Sequence, residues 1–238
     1  MAHDPPLPIP LALKPGDPPV FPDPRRADGD GLIAIGGDLS EARLAAAYDH
    51  GIFPCHGPDS PPIWWSPDPR AVLQPETLHV SRRLKRRLRQ RPFQLTWNRA
   101  FLKVMRACGR DRADGRWIVP DMLRAYHRIH EQGWSHSLEV WQDARLVGGL
   151  YGVQRGRLFA AESMFHLVTD ASKIALVSAV RALHSAGIEL FDVQYLTPHL
   201  ASLGAREWPR DAYLERLGEL VGSPLDLSDP NRLLDPGA

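Results

Sequence analysis

Three side chains in one stretch have the types and spacing for chemistry. Glu162 sits in the apolar run LFAAESMF, Leu158 to Phe165, and Asp192 and Gln194 sit in the run IELFDVQ, Ile188 to Gln194. A carboxylate stripped of water is costly unless it is paired, hydrogen-bonded or in use. Side chains two apart on a strand share a face, which sets Asp192 beside Gln194 and Glu162 beside Met164. If the two faces coincide, two carboxylates and an amide meet next to apolar groups. That set could hold and orient an amine.

The elements that must position them are legible in the same stretch. Ile174, Val177, Val180 and Leu183 recur at helical spacing, and Gly187 stands where a helix would stop. The pattern is strand, helix, strand, so the two strands are expected to be parallel with the helix on one face.

The whole chain has 238 residues, 43% of them hydrophobic, enough for one large or two small domains with a real core. A net charge of +1 says little about partners. Cys55 and Cys108 do not make a disulfide framework, which fits a reducing, cytoplasmic setting. No secretion leader is visible and no run approaches the length of a membrane span, so no membrane partner is expected.

Residues 1–24 hold nine of the 23 prolines and read as an extended tail. Residues 25–68 read as a small first domain. Leu32 to Ile35 is a strand, Gly36-Gly37 a turn, and Ser40 caps a helix over Glu41 to His50 that Gly51 ends. The segment PPIWWSPDPR is a stiff connector to a larger second domain, residues 69–238. Trp64 and Trp65 within it read equally as core packing or as a stacking surface for a ring. Further on, helices are expected over Trp97 to Ala107, Asp121 to Gln132 and Arg210 to Val221, with a hairpin turning at Asp143. HLASLGA reads as a strand, and the tail from Gly222 need not pack.

Ser81 to Arg91, SRRLKRRLRQR, reads as a helix that buries Leu84 and Leu88. Residues 82–112 carry twelve of the 29 basic residues and a single acid, Asp111. Arg82, Arg83, Lys85, Arg86, Arg87 and Arg89 could be a solvated face. In a near-neutral protein, so much positive charge in one segment makes a local field suited to a polyanion, contacting phosphates without reading sequence.

Other features carry less. His127 and His130 are three apart on one helix but lack companion ligands, so no metal is expected. Cys108 has no activating neighbour in sequence. Neither Gly36-Gly37 nor Gly148-Gly149 matches a phosphate loop.

The segments GLIAIGGDLS, AYDHGIFP, PPIWWSPDPRAVL, SHSLEVW, LVGGLYGV, FAAESMF, DASK, LFDVQ and HLASLGA occur in order. Together, from about Gly31 to Leu217, they resemble the bacterial leucyl/phenylalanyl-tRNA–protein transferases. The resemblance implies an α+β protein, a small N-terminal α/β domain plus a larger GNAT-type acyltransferase domain. It implies transfer of Leu, Phe and less well Met from Leu-tRNA, Phe-tRNA and Met-tRNA to proteins with N-terminal Arg or Lys, marking them for degradation. It implies a monomer with no cofactor, metal or ATP. Glu162, Asp192 and Gln194 fall on the family's active-site positions, and Leu150, Phe159 and Met164 on its pocket for the donor side chain. Tyr48 falls on its site for the terminal adenosine. The chain departs from the pattern at Cys55, where the family has Trp, at His166, where it has Ser, and at Ala161, where it has Gly.

An aminoacyl ester is already activated, so orientation of the amine can supply much of the rate. Gln194 would orient the amine through its carbonyl oxygen, Asp192 would fix the amide or the amine, and Glu162 would attract the acceptor's cation. The bland alternative is a pair of buried structural acids. An acyl-CoA N-acyltransferase would need a glycine loop for the pyrophosphate, and HLVTDASK before the central helix has none. A noncatalytic RNA-binding module would explain the basic run but not the acids.

Overall fold

The computed structural model describes residues 7–110 and 118–228. Residues 1–6 and 229–238 of the two expected tails, and Asp111 and Arg112 of the basic count, lie outside the described residues. The architecture is mixed α and β, with two sheets.

The first sheet is built from β1 (Leu11–Leu13), β2 (Leu32–Gly36), β3 (Phe53–Cys55) and β4 (Ile63–Trp65), in the order β1-β2-β4-β3. Helix α1 (Glu41–Asp49) lies between β2 and β3 in sequence, capped by the Ser40 hydroxyl, which accepts from Arg43 N. The expected proline tail is corrected here. Leu11 pairs in parallel with Ala34, so this segment is an edge strand of the sheet. Proline removes a donor but keeps its carbonyl, and the buried Arg43 donates to the carbonyls of Asp17 (2.6 Å) and Pro18 (3.3 Å).

The second sheet has the order β11-β5-β10-β9-β8-β7-β6. Its strands are β5 (Arg70–Val72), β6 (Gln94–Trp97), β7 (Ser135–Gln142), β8 (Arg145–Arg155), β9 (Leu158–His166), β10 (Leu190–Gln194) and β11 (Arg206–Trp208). The helices are α2 (Arg82–Gln90), α3 (Phe101–Cys108), α4 (Pro120–Glu131), α5 (Ala171–Ala186), α6 (Pro198–Ser202) and α7 (Arg210–Leu220). The stretch HLASLGA is therefore not a strand. Thr197 caps α6 by accepting from Leu200 N at 3.2 Å, and Pro198 opens it, which suits a first helical turn.

The central unit forms as its spacing predicts. Strands β9 and β10 are parallel, with Phe191 opposite Phe159, and Ile174, Val177, Val180 and Leu183 of α5 are buried against them. Gly187 ends α5 at φ +114°, a conformation that favours glycine. The pairing covers only Leu158–Ala160 against Leu190–Asp192, and beyond that the two strands separate.

Two irregularities sit where they separate. Ala161 pairs with Gly152 and Ser163 with Tyr151, so Glu162 is an extra residue in β9. Such a bulge shifts the alternation of faces. Met164 then packs against the core of α5, while Phe165 packs into the opposite core with Tyr48, Tyr126 and Tyr151. The expected sharing of one face by Glu162 and Met164 is thus lost. On β10, the register against β5 shifts between Asp192 and Gln194. One core spans both sheets, taking Ile33 and Trp64 from the first and Tyr151 and Ala160 from the second.

Candidate active site

The site is built outward from Arg70 of β5, which is 2% exposed. Its Nε donates to Asp192 Oδ1 at 2.9 Å and its Nη2 to Oδ2 at 2.6 Å. Its Nη1 donates to the Gly51 carbonyl at 2.9 Å. The guanidinium lies over the rings of Phe53 and Tyr213, 4.8 and 4.6 Å from their centroids. Gly51 has φ +70°, and a Cβ there would come within 2.7 Å of Leu214, so glycine is required for this approach.

Asp192 is fully buried, and its oxygens are all in use. Oδ2 also accepts from Tyr213 OH at 2.9 Å, and Oδ1 accepts from the backbone N–H of Gln194 at 2.8 Å. A buried pair of this kind is costly to break, about 3–5 kcal/mol, because one charge is left unpaired. Of the two roles expected for Asp192, fixing the amide or the amine, its contacts are with the residue that carries the amide. It reaches the site through the backbone of Gln194. Gln194 stands at φ +64°, a left-handed conformation that costs a non-glycine residue roughly 1–2 kcal/mol. The Asp192 bond holds it there.

Held this way, Gln194 donates from Nε2 to Glu162 Oε1 at 2.9 Å, and among the described residues its own Oε1 has no protein donor. The structure thus brings Asp192, Gln194 and Glu162 together. Glu162 is 8% exposed. Burial pushes its carboxyl up to about 8, and the Asp192 charge adds to this, while Tyr48, Arg70 and Gln194 pull the other way without offsetting it.

Where β9 and β10 separate, a pocket of about 710 Å³ opens. In open α/β sheets, ligand crevices likewise lie outside the carboxyl ends of the strands. On the α5 side Leu150, Met164, Leu176, Val193 and Leu200 make an apolar wall, rimmed by His166, Ser172, Thr197 and His199. On the side of the first sheet stand Phe53, Cys55, Trp65, Glu162, Gln194 and Tyr195.

Leu150 and Met164 therefore line the pocket. Phe159 does not: it is fully buried between Trp97 and Phe191, with ring centroids 6.3 and 5.4 Å away. Trp64 and Trp65 divide the two readings left open for them. Trp64 is fully buried, its Nε1 donating to Gly36 O, whereas Trp65 faces the pocket. Tyr48 is 2% exposed behind Glu162, its hydroxyl 2.6 Å from that of Tyr126, and presents no surface to a nucleoside. The basic helix forms as expected, with Leu84 buried, Leu88 half-buried and Arg82, Arg83, Lys85, Arg86 and Arg89 exposed. Arg87 is half-buried over the Phe93 ring. Arg83, Arg86 and Arg87 face Thr169 and Asp170 across a cleft of about 380 Å³. His130 stacks on Phe101 at 4.2 Å, which gives it a packing role.

Sequence reasoning missed Arg70, Tyr126 and Tyr213. Arg70 carried a signal, a lone cation before the apolar Ala71-Val72-Leu73. The two tyrosines sit at core spacing on their helices and carried none.

An apolar pocket with an amide and a buried carboxyl at one wall can seat an apolar side chain beside an amine. A family model described as leucyl/phenylalanyl-tRNA protein transferase matches residues 72–218, and the model of that family's N-terminal domain matches residues 37–68. Relatives named leucyl/phenylalanyl-tRNA–protein transferase are 54% identical over 199 residues in Thiobacillus denitrificans and 52% over 203 in Citrobacter koseri. These cover 83% and 84% of this chain and 87% of each relative. A third, from Klebsiella pneumoniae, is 50% identical over 222 residues, 92% of this chain and 95% of its own. The chain belongs to the leucyl/phenylalanyl-tRNA–protein transferase family.

Proposed function

We propose that the pocket takes the Leu, Phe or Met side chain of an aminoacyl ester on tRNA, and that the enzyme passes this group to the α-amine of a protein starting with Arg or Lys. The observation that carries this reading is the apolar wall of Leu150 and Met164 in one pocket with Gln194, whose Oε1 is open to an amine. Gln194 accepts from the attacking amine and orients its lone pair. Asp192 fixes the turn that presents Gln194. The larger domain is GNAT-type, a reading supported by a parallel pair that parts beside the site in an otherwise antiparallel sheet. No cofactor is required, because the ester is already activated. The enzyme works as a cytoplasmic monomer, and among its described residues no helix is long and apolar enough to cross a membrane.

The acceptor's cation needs a different partner from the one expected. A carboxyl pushed up to about 8 is mostly protonated at neutral pH, so Glu162 offers little charge. A cleft of about 410 Å³ shares Trp65 and Tyr195 with the pocket and is edged by Asp30, Asp68 and Glu207. It suits a Lys or Arg side chain over aromatic rings. The basic helix α2 takes the tRNA phosphates.

Transfer from Leu-, Phe-, Met- and Val-tRNA to peptides starting with Arg, Lys or Glu tests this. Product from the first three donors on Arg and Lys peptides is expected. Equal transfer from Val-tRNA, or to the Glu peptide, overturns it.

A further inference from the structure

Making an amide from an amine and an ester moves one proton. The nitrogen must lose it, and the leaving ribose oxygen must gain it. Glu162 is the carboxyl on the pocket wall, accepting from Gln194 Nε2 at 2.9 Å. Behind it lie two phenols shut off from water, Tyr48 on α1 at 2% exposure and Tyr126 on α4 at 0%. Their hydroxyls are 2.6 Å apart, and both stand next to the Glu162 carboxyl. Packing alone would be met by Phe, which has the same ring and no hydroxyl to satisfy.

We propose that Glu162 is the proton shuttle of the transfer and that the Tyr48–Tyr126 pair positions it. This rests on the aminoacyl-transfer reading. The amine nitrogen bonds to the ester carbonyl carbon, and the carbonyl π pair moves onto its oxygen. Glu162 in its ionised form, the minor one at neutral pH, takes one N–H proton. The carbonyl re-forms, the bond to the ribose oxygen breaks, and Glu162 gives that proton to the leaving oxygen. The carboxylate is restored, and no further reactant enters.

The charged and titratable groups facing Glu162 are Tyr48 of α1, Tyr126 of α4, Arg70 of β5 and Asp192 of β10, with Cys55 of β3 beside Tyr126. Burial raises Glu162 to about 8, the range of a free α-amine. A group that titrates near the working pH can both take and return a proton. The Tyr48 hydroxyl favours the ionised carboxyl.

The experiment pairs two readouts on wild type, Tyr48→Phe, Tyr126→Phe and Glu162→Gln. One is single-turnover transfer to a saturating Arg-starting peptide, from about pH 6 to about pH 10. The other is an NMR titration of carboxyl-labelled glutamate, with the Glu162 signal assigned by its loss in Glu162→Gln. The peptide's own ionisation is common to all variants, so a displaced profile reports the enzyme. Tyr48→Phe is expected to raise the Glu162 midpoint and to displace the rate profile equally, slowing transfer at neutral pH by up to about tenfold. Glu162→Gln is expected to slow it by about a hundredfold or more. If the midpoint moves in Tyr48→Phe or Tyr126→Phe while the rate profile stays, or if Glu162→Gln matches wild type, the shuttle is refuted. A wild-type protein that makes no product with any charged tRNA sinks the transfer reading itself.

Discussion

Arg70 grips both carboxylate oxygens of Asp192, 2.9 Å from Nε to Oδ1 and 2.6 Å from Nη2 to Oδ2, with neither side chain exposed by more than 2%. The same guanidinium holds the Gly51 carbonyl at the end of α1. One side chain therefore ties the first sheet to the strand that ends in Gln194. Asp192 spends its remaining capacity on Tyr213 OH and the Gln194 N–H, which couples the pair to the Gln194 turn.

Asp192→Asn keeps the shape and leaves Arg70 buried without its counter-charge. Unfolding free energy is expected to fall by about 3–5 kcal/mol. Turnover should fall about ten- to a thousandfold as the Gln194 turn relaxes. Affinity for charged tRNA should hold, since the apolar wall and the basic helix are untouched. Gln194→Ala should lose turnover with little loss of stability, and the double variant should be no slower than the slower single. Denaturation and single-turnover rates check this, and wild-type rates in both singles would make the strand mere core.

The basic helix predicts a salt effect. Each phosphate contact adds roughly 0.9 to the log–log slope of binding against salt. Reversing Arg83, Arg86 and Arg87 to Glu should raise KM for charged tRNA and flatten that slope. Transfer from a short aminoacyl-adenosine donor should stay nearly unchanged. Equal loss on both donors would remove α2 from the tRNA interface.

Donor choice separates Met164 from Phe159, two residues that looked alike in sequence. Met164 lines the pocket, so Met164→Ala should weaken Leu transfer and admit bulkier side chains, with a discrimination of about 1–3 kcal/mol. Phe159 is core, so Phe159→Ala should cost about 3–5 kcal/mol of stability. Relative transfer from Leu- and Phe-tRNA, set beside melting temperature, distinguishes the two.

The strand–helix–strand unit was legible because α5 repeats its apolar residues at 3.6 and its flanking strands are short and bounded. The meeting of Asp192, Gln194 and Glu162 was legible from the same stretch. Their partners were not. Arg70 comes 122 residues earlier than Asp192, and no local pattern encodes a pairing of that range. The bulge at Glu162 was invisible because one extra residue leaves composition unchanged while it exchanges faces downstream. That exchange separated Met164 from Glu162. The depth of Tyr48 is hidden for a related reason: its place on α1 is plain in sequence, but its burial depends on α4 covering it. Leu11–Leu13 reads as tail because proline density hides a three-residue strand whose partner, β2, alone defines it.

Two buried groups should bend stability against pH in opposite senses. His136 is 1% exposed, stacked on Trp97, with Asn98 Nδ2 at its Nδ1 and Gln154 Oε1 at its Nε2. Burial lowers it to about 4 from 6.5. Below 6.5 the unfolded chain binds a proton that the folded chain refuses, so stability falls as pH drops through this window and the loss is complete below about 4. Its size is on the order of 3 kcal/mol. Glu162 runs the other way. Its folded carboxyl titrates at about 8 against 4.5 in the free state, so the folded chain holds a proton that the unfolded chain has released. Stability then falls as pH rises from 4.5 toward 8, by several kcal/mol, on the order of 3–5. Glu162→Gln removes this second slope, because Gln keeps the shape and does not ionise. Chemical denaturation at about pH 5 and about pH 8.5 should show the variant gaining on wild type at the higher pH by that amount. A constant difference between the two proteins at both pH values would mean that Glu162 is ionised in the folded chain at neutral pH.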